Sequence, residues 1–251
     1  MLGVFDSGTG GLFALAHLRA LAPYADFCYL ADTRHLPYGE KAPAEICGYL
    51  QEILPFFKKK GVSALLFACG TASSVALPRI FDPPFPLFGV IAPVALRAAS
   101  ITKNGRVGIL ATRASIQSGA YERALHRLSP SITAVSVAAP NLVTAAEQNA
   151  PPSEEELLSV TVPFRKAECD TVILGCTHFA RFQSELARTV PGISLVDCGE
   201  CAAEHFFRET KPPKEIGTVL LYTTGSPTAF RPPNHLQESL PAARFAPIWE
   251  K

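Results

Sequence analysis

Short apolar runs alternate with amphipathic stretches along almost the whole chain. The runs are Leu2 to Phe5, Phe27 to Ala31, Ala64 to Ala68, Leu87 to Ile91, Val107 to Ala111, Ile132 to Val137, Thr171 to Leu174, Ser194 to Val196 and Thr218 to Tyr222. A run that is apolar on both faces suits a strand buried from both sides. Strands of that kind alternating with helical patterns predict an α/β protein with largely parallel sheets. Nine strands are many for one sheet, so two doubly wound lobes with a site between them are the preferred arrangement. A fresh helix-and-strand series begins near Ala92-Pro93. The expected division is residues 1–92 with 205–251 for one lobe and 93–204 for the other.

Proline and charge add little to this pattern. The 22 prolines cluster in Asp82-Pro83-Pro84-Phe85-Pro86, Pro151-Pro152, Pro212-Pro213 and Pro232-Pro233, which read as loops. A net charge of +1 gives no electrostatic case for nucleic acid or for an anionic membrane surface. The basic run Lys58-Lys59-Lys60 sits at an expected helix end, where cations favour the dipole. No leader pattern opens the sequence and no run of about 18 apolar residues follows, so a soluble protein retained in the cytoplasm is expected. Seven cysteines, an odd number, suit reduced thiols better than a disulfide framework.

Two of those cysteines share a setting. Leu65-Leu66-Phe67-Ala68-Cys69-Gly70-Thr71-Ala72-Ser73 and Val172-Ile173-Leu174-Gly175-Cys176-Thr177-His178-Phe179 each carry a thiol between a strand and a helical segment. Unpaired N–H groups at a helix start favour a thiolate. Two such thiols facing one carbon from opposite sides could invert a stereocentre by proton transfer, which a single base returning the proton to its own face could not. The plain alternative is that both are small core residues.

Other residues carry weaker signals. Asp6-Ser7-Gly8-Thr9-Gly10-Gly11 follows the first strand and could bring a ligand's anionic group to a helix start, with Asp6 as N-cap the structural alternative. It lacks the Lys-Ser/Thr end of a phosphate-binding loop and the spacing of a dinucleotide fingerprint. His178 could assist Cys176 or be a hydrogen-bonded core histidine, and Glu147 could be functional or merely solvated. Cys198-Gly199-Glu200-Cys201 has no second ligand pair for zinc and no early βαβ context for redox chemistry, so it is assigned to structure. Cys28, Cys47 and Cys169 have no neighbouring chemistry.

Taken in order, these loops resemble those of glutamate racemase, the cofactor-independent enzyme that interconverts L- and D-glutamate for bacterial cell-wall synthesis. Val4 to Gly11 is similar to the family's opening motif, and Asp32 with Pro37-Tyr38-Gly39 to its next binding loop. The two cysteine segments, Ala111 to Ser118 and the segment ending at Glu147 also fall in register. The resemblance implies two α/β lobes with the ligand between them. It implies Cys69 and Cys176 as the two bases, Asp6 assisting the first, and Glu147 with His178 assisting the second. Ser7, Tyr38, Gly39, Gly70, Thr71, Thr112, Ser115 and Thr177 would hold the substrate's charged groups. No cofactor and no metal are implied, the partner is a small amino acid, and a homodimer is left open. Gly70 stands where the family pattern has Asn, Ser115 where it has Thr, Ala92 where many members have Glu, Cys198 where Ser is usual and Ser226 where Asp is usual. Gly70 removes a polar contact and would enlarge the site. That keeps two other readings in view, an aspartate-type racemase and a non-catalytic amino-acid-binding relative; Cys176 with His178 separately leave a thiol hydrolase, which would not explain Cys69.

Overall fold

The computed structural model describes residues 1–210, 217–226 and 244–247; Pro212-Pro213 and Pro232-Pro233 lie outside them. Among the described residues, ten strands form two sheets. The first contains β1 (Leu2–Asp6), β2 (Phe27–Ala31), β3 (Ala64–Phe67), β4 (Leu87–Gly89), β9 (Val219–Thr223) and β10 (Arg244–Pro247), in the order β10-β9-β2-β1-β3-β4. The second contains β5 (Arg106–Ala111), β6 (Thr133–Ala138), β7 (Thr171–Leu174) and β8 (Ser194–Asp197), in the order β6-β5-β7-β8. Every strand pair is parallel. β1, β2, β3 and β7 are buried along their whole length, as their unbroken apolar runs require.

The helices are α1 (Gly11–Leu21), α2 (Pro43–Lys59), α3 (Ile91–Ile101), α4 (Arg113–Ser118), α5 (Ala120–Leu128), α6 (Pro140–Glu147), α7 (Glu154–Lys166), α8 (Gln183–Thr189) and α9 (Cys198–Glu209). A central apolar cluster draws Val4 and Tyr29 from the first sheet and Val107, Ile109 and Ile173 from the second. It joins them to Leu12 and Leu15 of α1, Val94 of α3, Tyr121 of α5 and Phe206 of α9. The two sheets therefore share one core. Separate clusters cover the outer faces, with α2 on the first sheet and α6, α7 and α8 on the second. The change of series at Ala92-Pro93 falls in the first turn of α3.

Both sheets are wound outward in two directions, which opens a crevice at the strand ends. In the first sheet β2 lies on one side of β1 and β3 on the other; in the second, β6 and β7 flank β5 in the same way. Loops leaving the carboxyl ends of such neighbours diverge, and ligands bind in the gap. Asp6, Ser7 and Cys69 lie at or just past the ends of β1 and β3. Thr112 and Cys176 lie just past β5 and β7.

Candidate active site

Both cysteines open onto one cavity. Ser7, Tyr38, Gly39, Cys69, Thr71, Thr112, Cys176, Thr177 and His178 line a space of about 480 Å³. The first five belong to loops of the first sheet, and the last four to loops of the second. Leu36, Pro37, Glu40, Arg113, Pro140, Val143 and Thr144 complete the wall.

Cys69 precedes a π-helical turn over Ala72–Ala76, and Cys176 precedes a 3₁₀ turn over Thr177–Phe182. Cys69 immediately precedes a short helical turn whose Ser73 N–H donates to the Cys69 carbonyl at 2.9 Å, whereas Cys176 stands before a 3₁₀ turn. The Cys69 sulfur receives the Ala72 N–H at 3.4 Å and stands 3.4 Å from the Ser7 hydroxyl. Burial, reinforced by the Asp6 carboxylate, outweighs these contacts and pushes the Cys69 thiol up to about 12. The expectation that its local setting favours a thiolate is thus corrected: burial and the Asp6 charge favour the thiol form of Cys69.

Cys176 has a different neighbour. Its sulfur lies 3.5 Å from Nδ1 of His178, whose Nε2 lies 2.5 Å from Oε1 of Glu147. That same oxygen accepts the Thr9 N–H at 2.9 Å and the Thr9 hydroxyl at 3.1 Å. Burial alone would lower the His178 pKa, but Cys176 and Glu147 raise it well above the ordinary imidazole value. Glu147 behaves reciprocally: burial opposes its charge, yet His178 and Thr9 hold its pKa below normal. Glu147 and His178 therefore form a part-buried ion pair beside one thiol, with His178 buried and Glu147 half-buried.

Asp6 is fully buried and does not cap α1, whose N-cap is Gly10 with no side-chain bond. It accepts the Gly8 N–H at 2.8 Å and the Thr177 hydroxyl at 3.0 Å, so its hydrogen bonds reach the Cys176 loop. Burial lifts its pKa to about 6 against the opposing influence of His178. The glycines after it serve the fold more than a ligand. A Cβ on Gly8 would lie 2.2 Å from Oε1 of Glu147, and one on Gly10 would lie 2.5 Å from the Thr177 hydroxyl. In this loop the Thr9 N–H donates to Glu147, while Ser7 lines the cavity.

Hydroxyls join the two halves of the wall. Thr71 and Thr112 are 2.9 Å apart, and the Thr112 hydroxyl donates to Ser115, which also receives the Ser74 hydroxyl. Ser115 is fully buried behind the cavity lining and braces Thr112. Tyr38 donates to Asp32 at 2.5 Å, and Thr224 at the end of β9 donates to the same carboxylate at 2.6 Å. Asp32 thus holds the Tyr38 loop from behind. Gly70 does not line the cavity; it packs against the Gly175 carbonyl. The expectation that it enlarges the site is therefore corrected, because the room freed by the missing side chain is filled by backbone.

The Asp/Glu/Hydantoin racemase family model matches residues 14–206. A glutamate racemase of Latilactobacillus sakei is 34% identical over 239 residues, covering 91% of this chain and 87% of its own. The chain belongs to the glutamate racemases. Among solved structures, a glutamate racemase isoform of Bacillus anthracis superposes with a TM-score of 0.87 at 28% identity, covering 98% of this chain and 96% of that one. The glutamate racemase of Francisella tularensis in complex with D-glutamate gives 0.85 at 25% identity, covering 97% and 95%. The glutamate-racemase fold and its racemase class of activity are therefore those of this chain, and its ligand is a small molecule. No helix among the described residues is long and apolar enough to cross a membrane.

Thr9 and Arg113 fall inside the matched motifs but were assigned no role from the sequence, and Tyr121 lies outside those motifs. Thr9 lies within the opening motif, but its partner Glu147 is 138 residues away. Tyr121 donates to the Gly175 carbonyl from α5, and Arg113 lines the cavity from the first turn of α4. An isolated Tyr or Arg in an amphipathic helix carries no local signal of such contacts.

Proposed function

We propose that this chain interconverts L- and D-glutamate by transferring the α-proton between Cys69 and Cys176, without a cofactor. It does so in the cytoplasm and supplies D-glutamate for peptidoglycan. The observation that carries this reading is that the two thiols enter one cavity from the strand ends of different sheets. In one direction the Cys176 sulfur, beside the His178–Glu147 pair, takes the α-proton. The electron pair of the C–H bond stays on the α-carbon. Cys69 then delivers its S–H proton to the opposite face, leaving the inverted amino acid, a Cys176 thiol and a Cys69 thiolate. The reverse direction exchanges the roles.

The carbanion-like charge needs donors already aimed at it in a site closed to water. Ser7, Thr71, Thr112 and Thr177 supply hydroxyls, with Tyr38 and Gly39 closing the wall. Asp6 contributes a negative charge that favours the thiol form of Cys69, so the resting site has one proton donor ready. The aspartate alternative drew its support from an enlarged site at Gly70, and the packing of Gly70 against Gly175 removes that support.

Incubation with each L-amino acid followed by chiral analysis tests the assignment, with D-glutamate expected as the principal product. D-aspartate as the sole product would overturn it. Exchange of the α-proton with deuterium from solvent separates catalysis from mere binding, since a binder shows none. Cys69→Ala and Cys176→Ala should each abolish inversion, while either variant retains one-sided elimination from a β-chloro amino acid. Two-way activity in either single variant contradicts the two-thiol scheme.

A further inference from the structure

Gly70 follows one proposed base and Gly175 precedes the other, and the two residues meet backbone to backbone. A Cβ on Gly70 would lie 2.1 Å from the Gly175 carbonyl oxygen and 3.2 Å from its carbon. That carbonyl has little room to retreat. It accepts the Tyr121 hydroxyl at 2.7 Å, and the Gly175 N–H donates to the Leu110 carbonyl at 2.7 Å. A Cβ on Gly175 would in turn meet the Tyr121 ring at 2.8 Å. Tyr121 is fully buried in the core shared by both sheets, so it acts as a fixed stop.

We propose that the Gly70–Gly175 contact, closed from behind by Tyr121, is the spacer that sets the separation of the two thiols. Gly70 and Tyr121 are then positioning residues for the inversion step. The inference rests on the two-thiol reading above and adds what fixes its geometry. Any side chain at position 70 must displace one loop by about 1 Å to restore an ordinary C···O separation of about 3.3 Å. Cys69 is the adjacent residue and moves with it. Misplacement by about 1 Å can cost on the order of 100-fold in rate. The Asn of the family pattern therefore cannot be restored in this chain by a single substitution.

The test uses the full chain and the variants Gly70→Ala, Gly70→Asn, Tyr121→Phe and Gly70→Ala/Tyr121→Phe. Crystal structures should show the sulfur–sulfur separation in Gly70→Ala longer than in the parent by about 1 Å, and an unchanged separation overturns the spacer. In deuterated water with L-glutamate, the ratio of α-deuterium in recovered L-glutamate to D-glutamate formed should rise at least about tenfold in both Gly70 variants, with KM changed less than about threefold. The double variant should regain part of the loss, because removing the hydroxyl lets the Gly175 carbonyl yield. Wild-type inversion by Gly70→Asn overturns the proposal. Should the Gly70 variants not fold, Tyr121→Phe decides alone: a raised exchange-to-inversion ratio supports the spacer, and an unchanged ratio in the folded variant defeats it. If the parent does not act on glutamate, the racemase reading fails, while the measured sulfur separation still decides the spacer.

Discussion

Two carboxylates in this site, half-buried Glu147 and buried Asp6, respond to pH in opposite senses. Glu147 has a depressed pKa, so its stabilising contribution is present above its unfolded value near 4.5 and is lost as pH falls through its folded value. His178 has a raised pKa, so its contribution is complete below 6.5 and fades as pH climbs through its higher folded value. Glu147→Gln should therefore cost about 2 kcal/mol at neutral pH, the worth of a hydrogen bond to a charged group. The deficit should shrink below pH 4 in urea titrations; a pH-independent deficit would show that the charge is not what matters. Asp6 runs the other way. Its pKa rises from 3.8 to about 6, so ionising it costs the folded state as pH increases between those values. Asp6→Asn should gain up to about 3 kcal/mol above pH 6, the equivalent of two pKa units, and nothing below pH 4. The same variant should slow inversion if the charge helps to hold the Cys69 proton, so stability and activity move apart.

Among the elements, nine of the ten strands were legible as apolar runs because a strand buried on both faces leaves a contiguous signature. Their ends shifted by one or two residues, as at Leu87–Gly89. The tenth, Arg244–Pro247, which pairs with β9, was not read as a strand from the sequence. That Cys69, Cys176, Thr71 and Thr177 line one cavity was legible because strand-end loops meet at the crevice of doubly wound sheets. The role of Gly70 was not, since its neighbour lies 105 positions along the chain and a missing side chain reads as empty space. Glycines inside elements give a direct check on packing. Gly108 of β5 faces Phe164 and Val172, where a Cβ would lie 2.6 and 2.8 Å away. Gly108→Ala should cost about 1–3 kcal/mol through overpacking. Gly48 of α2 has nothing within 4 Å, so Gly48→Ala should stabilise by about 0.5–1 kcal/mol from helix propensity. Thermal denaturation of the pair measures both, and a loss at Gly48 would contradict the open surface seen there.

At the scale of the whole molecule, the expectation was two α/β lobes with the site between them, and in the structure α1, α3 and α9 pack in one apolar cluster with strands of both sheets. Val4 and Ile173 belong to the same cluster although they come from different sheets. Unfolding should therefore be a single cooperative transition, with far-ultraviolet circular dichroism and the fluorescence of a probe in the second sheet changing together. Two separated transitions would show that the sheets are energetically independent.

The placement of β9 carries a consequence for biosynthesis. β2 finds its outer neighbour only in residues 219–223, nearly two hundred positions later. On the ribosome, a growing polypeptide must hold the unpaired backbone of five buried residues out of reach of other chains until that late segment emerges. A chain halted after position 210 should bear a sticky flank that recruits chaperones or aggregates. Thr224 would be missing from it as well, leaving Asp32 without one of its donors and the Tyr38 loop poorly braced. Arrival of this late strand thus finishes the catalytic wall in the same step that seals the exposed flank.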